Sequence, residues 1–238
     1  MENLHNKVAL ITGGSRGIGL QIAKHLAAEG VHIAITGRNF NHLEDAVDEL
    51  STFDVDVTAI VCDSANKEDI QAAVAHTMET FERIDILVNN AGIMHNSSFL
   101  DTTEEDLMNM MAVNVFGPFH FMQEVLPHMI AQKSGDIVNM SSMSAVNAGP
   151  TSSAYSASKF ALSGLSDGVM REMRQHNIRT FLIHPSAVLT DLIGEVTLDP
   201  ETMTHPEDIA EVIISQLKIN RRTFVRTNQI WATNPTKL

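Results

Sequence analysis

A glycine-rich turn set between a short apolar run and an amphipathic stretch constrains this chain more than any other feature. Lys7-Val8-Ala9-Leu10-Ile11-Thr12 leads into Gly13-Gly14-Ser15-Arg16-Gly17-Ile18-Gly19 and then into helix-forming Leu20-Gln21-Ile22-Ala23. A second apolar run, Val31 to Thr36, completes the punctuation of a βαβ unit. Glycines at such a turn let the backbone bend tightly and approach a pyrophosphate, whose charge is met by amide groups at the following helix N-terminus. A lone glycine-rich turn says little, but one between a strand and a helix of a βαβ unit points to a bound dinucleotide.

The alternation continues along the chain. Further strands are expected around residues 55 to 61, 84 to 88, 136 to 140, 179 to 184 and 223 to 226. Helices are expected near 17 to 29, 40 to 50, 67 to 81, 104 to 131, 153 to 176 and 206 to 218. Runs such as Ile84-Asp85-Ile86-Leu87-Val88 suit parallel strands covered on both faces. The expected fold is therefore α/β: a Rossmann-type, doubly wound, mostly parallel seven-stranded sheet with helices on both faces. With 238 residues, 44% of them hydrophobic, and no linker or repeat, residues 1–238 are expected to form one domain.

A formal net charge of −13 argues against nucleic acid or an anionic membrane surface as the main partner, because both require clustered Lys and Arg. Arg221-Arg222 is too short a cluster to count. The single cysteine, Cys62, excludes an internal disulfide. No signal-peptide pattern precedes the first strand and no apolar run is long enough to span a bilayer, so a soluble, cytoplasmic protein is expected. The eleven histidines are scattered without metal-ligand spacing, and no metal is expected.

At the end of the second strand an NAD enzyme usually presents Asp or Glu to the ribose hydroxyls, whereas this chain reads Thr36-Gly37-Arg38. Arg38, with Arg16 in the glycine turn, suits a 2′-phosphate instead, so NADP(H) is favoured over NAD(H). Asp63, after the third strand, is a candidate to receive the adenine amino group, with a turn-forming Asp as the alternative.

Tyr155 and Lys159 lie four residues apart in Ala154-Tyr155-Ser156-Ala157-Ser158-Lys159, which places a phenol and an ammonium on one helix face. A unit charge about 4 Å away at an effective dielectric of ~20 is worth roughly 4 kcal/mol, enough to lower a tyrosine pKa by about three units. Tyr155 would then exchange protons near neutral pH. Upstream, Ser141-Ser142 follows the apolar run Ile137 to Met140, at a strand end where open α/β sheets bind ligands.

Together these residues resemble the short-chain dehydrogenase/reductase family, through nearly the whole chain. Thr12 to Gly19 is similar to its cofactor fingerprint, Asn89-Asn90-Ala91-Gly92 to its strand-stabilising motif, and Ser142, Tyr155 and Lys159 to its catalytic set. Asn114, in Val113-Asn114-Val115, matches the position that completes that active site through a water. The resemblance implies that Ser142 hydrogen-bonds the substrate oxygen and that Tyr155 passes the proton. Lys159 would bind nicotinamide ribose hydroxyls and lower the Tyr155 pKa, and Asn114 would link Lys159 to solvent. Gly13, Ser15, Arg16, Gly17, Ile18, Gly19, Arg38, Asp63, Asn90, Ala91, Gly92, Tyr155, Lys159, Val188 and Thr190 would bind NADP(H). His184-Pro185-Ser186 matches a Pro-Gly motif after the sixth strand, with Ser186 where glycine is usual.

Within the family the chain most resembles bacterial 3-ketoacyl (3-oxoacyl-[acyl-carrier-protein]) reductases. That implies NADPH-dependent reduction of a 3-ketoacyl thioester or similar small apolar ketone. Oxidation of a diol, hydroxysteroid or sugar alcohol with NADP, and a non-catalytic NADP(H)-sensing module, are the alternatives. Acyl-carrier protein stays open as a partner, because residues 226 to 235 depart from the glycine-rich end of the fatty-acid-synthesis members. An acidic carrier also needs a basic patch, for which Arg171, Arg174 and Arg179 are candidates and a solvated helix surface the plainer explanation. Met94, His95, Met143, Val146, Ala148 and Leu192 are expected to line an apolar substrate pocket, with only a short lid after Thr190. A homo-oligomer, dimer or tetramer, is implied through the helices near 104 to 131 and 153 to 176.

Overall fold

The computed structural model describes residues 1–190, 192 and 200–233. Seven parallel strands form one sheet in the order β3-β2-β1-β4-β5-β6-β7. They are β1 (Val8–Thr12), β2 (His32–Gly37), β3 (Val57–Val61), β4 (Ile86–Asn89), β5 (Gly135–Met140), β6 (Ile178–Pro185) and β7 (Thr227–Ile230). The chain winds outward from β1 to β3, then returns to the other side of β1 with β4. The crevice beyond the C-terminal ends of β1 and β4 is thus the switch point at which such sheets receive ligands.

Both faces are covered, as the unbroken burial of β1, β4, β5 and β6 requires. On one face α1 (Gly17–Ala28), α2 (Phe40–Leu50) and α7 (Pro206–Leu217) seal a core containing Ile11, Ile35, Val138, Phe181 and Ile183. On the other, α3 (Lys67–Phe81), α5 (Gly117–Gln132) and α6 (Ser153–Met173) pack over Leu10, Ala34, Leu87 and Ile137. The helix starts are written locally. Asn39 and Asn66 accept hydrogen bonds from first-turn amides of α2 and α3, and Thr103 with Asp106 forms a capping box on α4 (Glu104–Met111). Among the described residues no helix is long and apolar enough to cross a membrane.

Three expectations are corrected. The helix expected over 104 to 131 is interrupted by a π turn at Ala112–Phe116. There the Asn114 side chain takes its bonds from elsewhere in the fold, accepting from Ile93 N–H and donating to the Ile93 carbonyl and Ser158 Oγ. Those tertiary bonds outweigh an unbroken helical ladder, a common origin of π turns at functional sites. The strand expected at 223 to 226 lies at Thr227–Ile230 instead, because its register is set by β6 from Leu182↔Thr227 onward. The apolar signal of that stretch belongs to Phe224, packed edge-on against Phe181 at 5.7 Å. The third strand starts at Val57 rather than Val55, whose amide closes a turn onto Phe53.

Candidate active site

Thr12, the last residue of β1, ties the ends of β1 and β4 together. Its Oγ1 accepts hydrogen bonds from Asn90 N–H at 3.0 Å and Ala91 N–H at 2.9 Å. Asn90 Nδ2 returns two bonds, to the Thr12 and Gly13 carbonyls, both at 3.0 Å. A Cβ on Gly19 would come 2.2 Å from the Gly13 oxygen, so glycine there lets α1 start directly beneath the turn. Gly13 and Gly17 have φ of +61° and +54°, a left-handed backbone that side chains disfavour.

This turn is one wall of a cavity of about 1190 Å³ running along the C-terminal edge of the sheet. At one end stand Ser15, Arg16, Arg38 and Asp63. In the middle are Gly13, Gly17, Ile18, Asn90, Ala91 and Gly92, with Thr190 beside Gly17, and past the ends of β5 and β6 stand Ser142, Tyr155, Lys159 and Val188. The structure thus brings the sequence-predicted residues together, with two exceptions. Gly19 lies under the turn and Asn114 is fully buried behind Gly92, so neither lines the cavity. Asn114 acts one layer back: a Cβ on Gly92 would lie 3.3 Å from Asn114 Oδ1 and 3.5 Å from Lys159 Nζ. Its hydrogen bonds go to Ile93 and Ser158 rather than to Lys159.

Ser142 follows β5, and its Oγ accepts from Ser144 N–H at 3.1 Å and hydrogen-bonds the Tyr155 hydroxyl. Tyr155 and Lys159 share the inward face of α6 and are both buried. Lys159 Nζ donates to the Met140 carbonyl at 2.9 Å and stands 5.8 Å from the centre of the Tyr155 ring. Neither the Met140 acceptor nor the burial of the pair was legible in the sequence.

Burial also reverses the expectation for Tyr155. Loss of solvent pushes its pKa above the ordinary value, and the Ser142 hydrogen bond offsets only part of this. The same loss brings Lys159 down to about 8. At neutral pH the pair therefore consists of a protonated phenol beside an ammonium held on a backbone carbonyl.

Two further expectations change. Met94, Met143 and Leu192 line the cavity, but His95, Val146 and Ala148 do not. Val146 and Ala148 turn to solvent, and His95 is exposed with Asp106 at 4.0 Å. Arg179 is not a surface residue. It is buried, with its guanidinium on Asp136 at 2.6 and 2.9 Å, while Arg171 pairs with Asp167. Ser186 accommodates the motif position where glycine is usual, its N–H donating to the Ile230 carbonyl at 2.8 Å. Most of the stretch between Thr190 and α7, and residues 234–238, lie outside the described residues. The cavity also takes in Asn39, His42 and Cys62, which no spacing singled out.

Relatives match this chain over nearly their whole length. An uncharacterized oxidoreductase of Staphylococcus saprophyticus is 35% identical over 97% of this chain and 98% of its own. Another from Staphylococcus aureus is 31% identical over 97% and 98%. The crystal structure of a metagenomic short-chain oxidoreductase in complex with NADP superposes with a TM-score of 0.86 at 30% identity, covering 98% of this chain and all of that one. An alcohol dehydrogenase from the archaeon Thermococcus sibiricus, complexed with 5-hydroxy-NADP, gives 0.89 at 27% identity over 95% and 97%. The family model for short chain dehydrogenase matches residues 7–201, and the chain belongs to that family of oxidoreductases.

Proposed function

We propose that this chain is an NADPH-dependent carbonyl reductase acting on a 3-ketoacyl thioester or a similar small apolar ketone. The observation that carries the reading is the buried Tyr155 hydroxyl, hydrogen-bonded to Ser142 beside Lys159, at one end of a cavity whose other end carries Arg16 and Arg38. Two glycines with left-handed φ, Gly13 and Gly17, keep side chains out of the wall between them, which suits a pyrophosphate against the α1 N-terminus. The solved neighbours with NADP or 5-hydroxy-NADP support the same cofactor.

In this reading Gly13, Ser15, Gly17 and Ile18 receive the pyrophosphate, with Gly19 packed beneath them. Arg16 and Arg38 receive the 2′-phosphate, and Asp63 the adenine amino group. Asn90, Ala91 and Gly92 form the floor, Val188 offers main-chain groups to the carboxamide, Thr190 contacts the carboxamide or the diphosphate, and Tyr155 with Lys159 holds the nicotinamide ribose. When bound, NADPH supplies the hydride, and the protein supplies orientation and the proton. Ser142 donates a hydrogen bond to the substrate oxygen. Tyr155 then gives its proton to that oxygen as it becomes basic. A pKa raised by burial suits this direction, because the phenol keeps its proton until an alkoxide-like oxygen demands it. Lys159 stabilises the resulting phenolate with its charge, and Asn114 fixes the backbone behind it.

Met94, Met143 and Leu192 favour an apolar substituent on the ketone. With Arg179 committed to Asp136 and Arg171 to Asp167, two of the three arginines that could meet an acidic carrier are engaged within the chain. Met108, Phe116 and Phe160 are exposed on α4, the π turn and α6, which supports association of this chain with itself.

Arg38→Asp tests the cofactor assignment. Replacing a charge-assisted phosphate contact by a repulsive carboxylate is expected to weaken NADPH about 10–100-fold, as read by nucleotide fluorescence, and to leave NADH nearly unchanged. An unaltered ratio of the two affinities contradicts the 2′-phosphate site. For the substrate, turnover of acetoacetyl-CoA supports the thioester, and turnover confined to free ketones supports a general carbonyl reductase.

A further inference from the structure

His184, on β6, is 3% exposed and has no role in the proton transfer described above. It follows Ile183, whose side chain lies in the core under α1 and α7, so strand alternation turns His184 to the opposite face, toward α6. The pairing of β5 with β6 ends at Met140↔Ile183, after which Ser141 N–H donates to the Ile183 carbonyl at 2.8 Å. Pro185 has no N–H with which to extend that ladder. One residue further along, the Ser142 carbonyl accepts from two donors, Ala145 N–H of its own turn at 2.9 Å and the side chain of His184 through Nδ1 at 2.9 Å. A carbonyl only accepts, so Nδ1 must carry the proton.

We propose that His184 is a positioning residue: its Nδ1–H ties the Ser142 carbonyl, just beyond the end of the ladder, to β6 and holds the Ser142 main chain so that Ser142 Oγ stays against Tyr155. The groups facing the ring are the Ser142 carbonyl, just after β5, and the Lys159 ammonium from α6. Burial, helped by Lys159, lowers the His184 pKa against the opposing pull of the carbonyl, so the ring is neutral at pH 7. A neutral imidazole has one N–H, and this contact fixes it on Nδ1. Without that donor, the Ser142 carbonyl keeps only Ala145 N–H and its Oγ only Ser144 N–H, both within its own turn and neither tied to β6. A shift of about 1 Å in such a group can cost ~100-fold in rate.

The turnover arm rests on the carbonyl reductase reading, and the spectroscopic arm does not. In ¹⁵N spectra of histidine-labelled wild-type protein at pH 7, the resonances removed by His184→Asn are expected to report a neutral ring protonated at Nδ1. His184→Leu, which fills the site without a donor, is expected to lower kcat about 10–100-fold with the NADPH dissociation constant unchanged. His184→Asn, whose amide can donate from the position of Nδ1, is expected to recover most of that loss. A ring protonated at Nε2, a Leu variant within twofold of wild type, or an Asn variant as slow as the Leu variant would each overturn the proposal. If the Leu variant does not fold, the tautomer decides. If wild type reduces no ketone, the function reading fails and the tautomer still decides the role of His184.

Discussion

Tyr155→Phe is expected to bind NADPH within about fivefold of wild type, because it removes one hydroxyl from a site held mainly by the glycine turn and Lys159. It is expected to lose turnover by about 10²–10⁴-fold, the usual weight of a positioned general acid. The ring occupies the same space between Ala154 and Met110, so the fold is kept. Steady-state rates with nucleotide binding measured in parallel separate the two effects. Turnover within threefold of wild type would remove Tyr155 as the proton donor. A large loss of NADPH binding instead would mean that the hydroxyl holds the cofactor rather than passing a proton.

The second large effect is on stability. Asp136, at the start of β5, is fully buried and accepts from both Arg179 and Arg221. Arg221 contributes Nη1 at 3.1 Å and Nη2 at 3.0 Å to the same carboxylate. Arg179 also donates to the Leu217 and Ile219 carbonyls at the end of α7, and Arg221 to those of Gly135 and Asn177. The cluster therefore ties β5, β6 and the α7 terminus at the N-terminal edge of the sheet, opposite the active site. Asp136→Asn leaves the buried guanidinium of Arg179 and the half-buried one of Arg221 without their counter-charge, a loss of about 3–5 kcal/mol. For a chain of this length that lowers Tm by about 6–20 °C, measurable by circular dichroism on heating. A Tm within about 2 °C of wild type would show that the arginines are compensated by backbone and solvent. The three groups can still be less stable than an apolar trio of the same shape, since burying charge is itself costly.

Much of the site was legible because short-range rules carry it. The glycine turn, the Asn and Thr caps, and the spacing of Tyr155 from Lys159 each depend on residues within a few positions of one another. What stayed hidden depends on partners far along the chain. The π turn at Ala112–Phe116 exists because Asn114 bonds Ile93 and Ser158. The upward shift of Tyr155 depends on how deeply α6 packs, and no pair spacing reports that. Arg179 reads as a surface charge until Asp136, on the neighbouring strand, is seen to take both ends of its guanidinium. His184 stood inside a motif noticed for its proline, and only the fold shows that its ring reaches the Ser142 carbonyl beyond the end of the β5–β6 ladder.

The most direct measurement is the loss of NADPH absorbance when purified wild-type protein meets small diketones, aryl ketones and acetoacetyl-CoA, with NADH in parallel. Ketone-dependent consumption of NADPH, faster than that of NADH, is expected with at least one member of the panel. NADPH binding without consumption by any ketone, or equal rates with NADH, would contradict it.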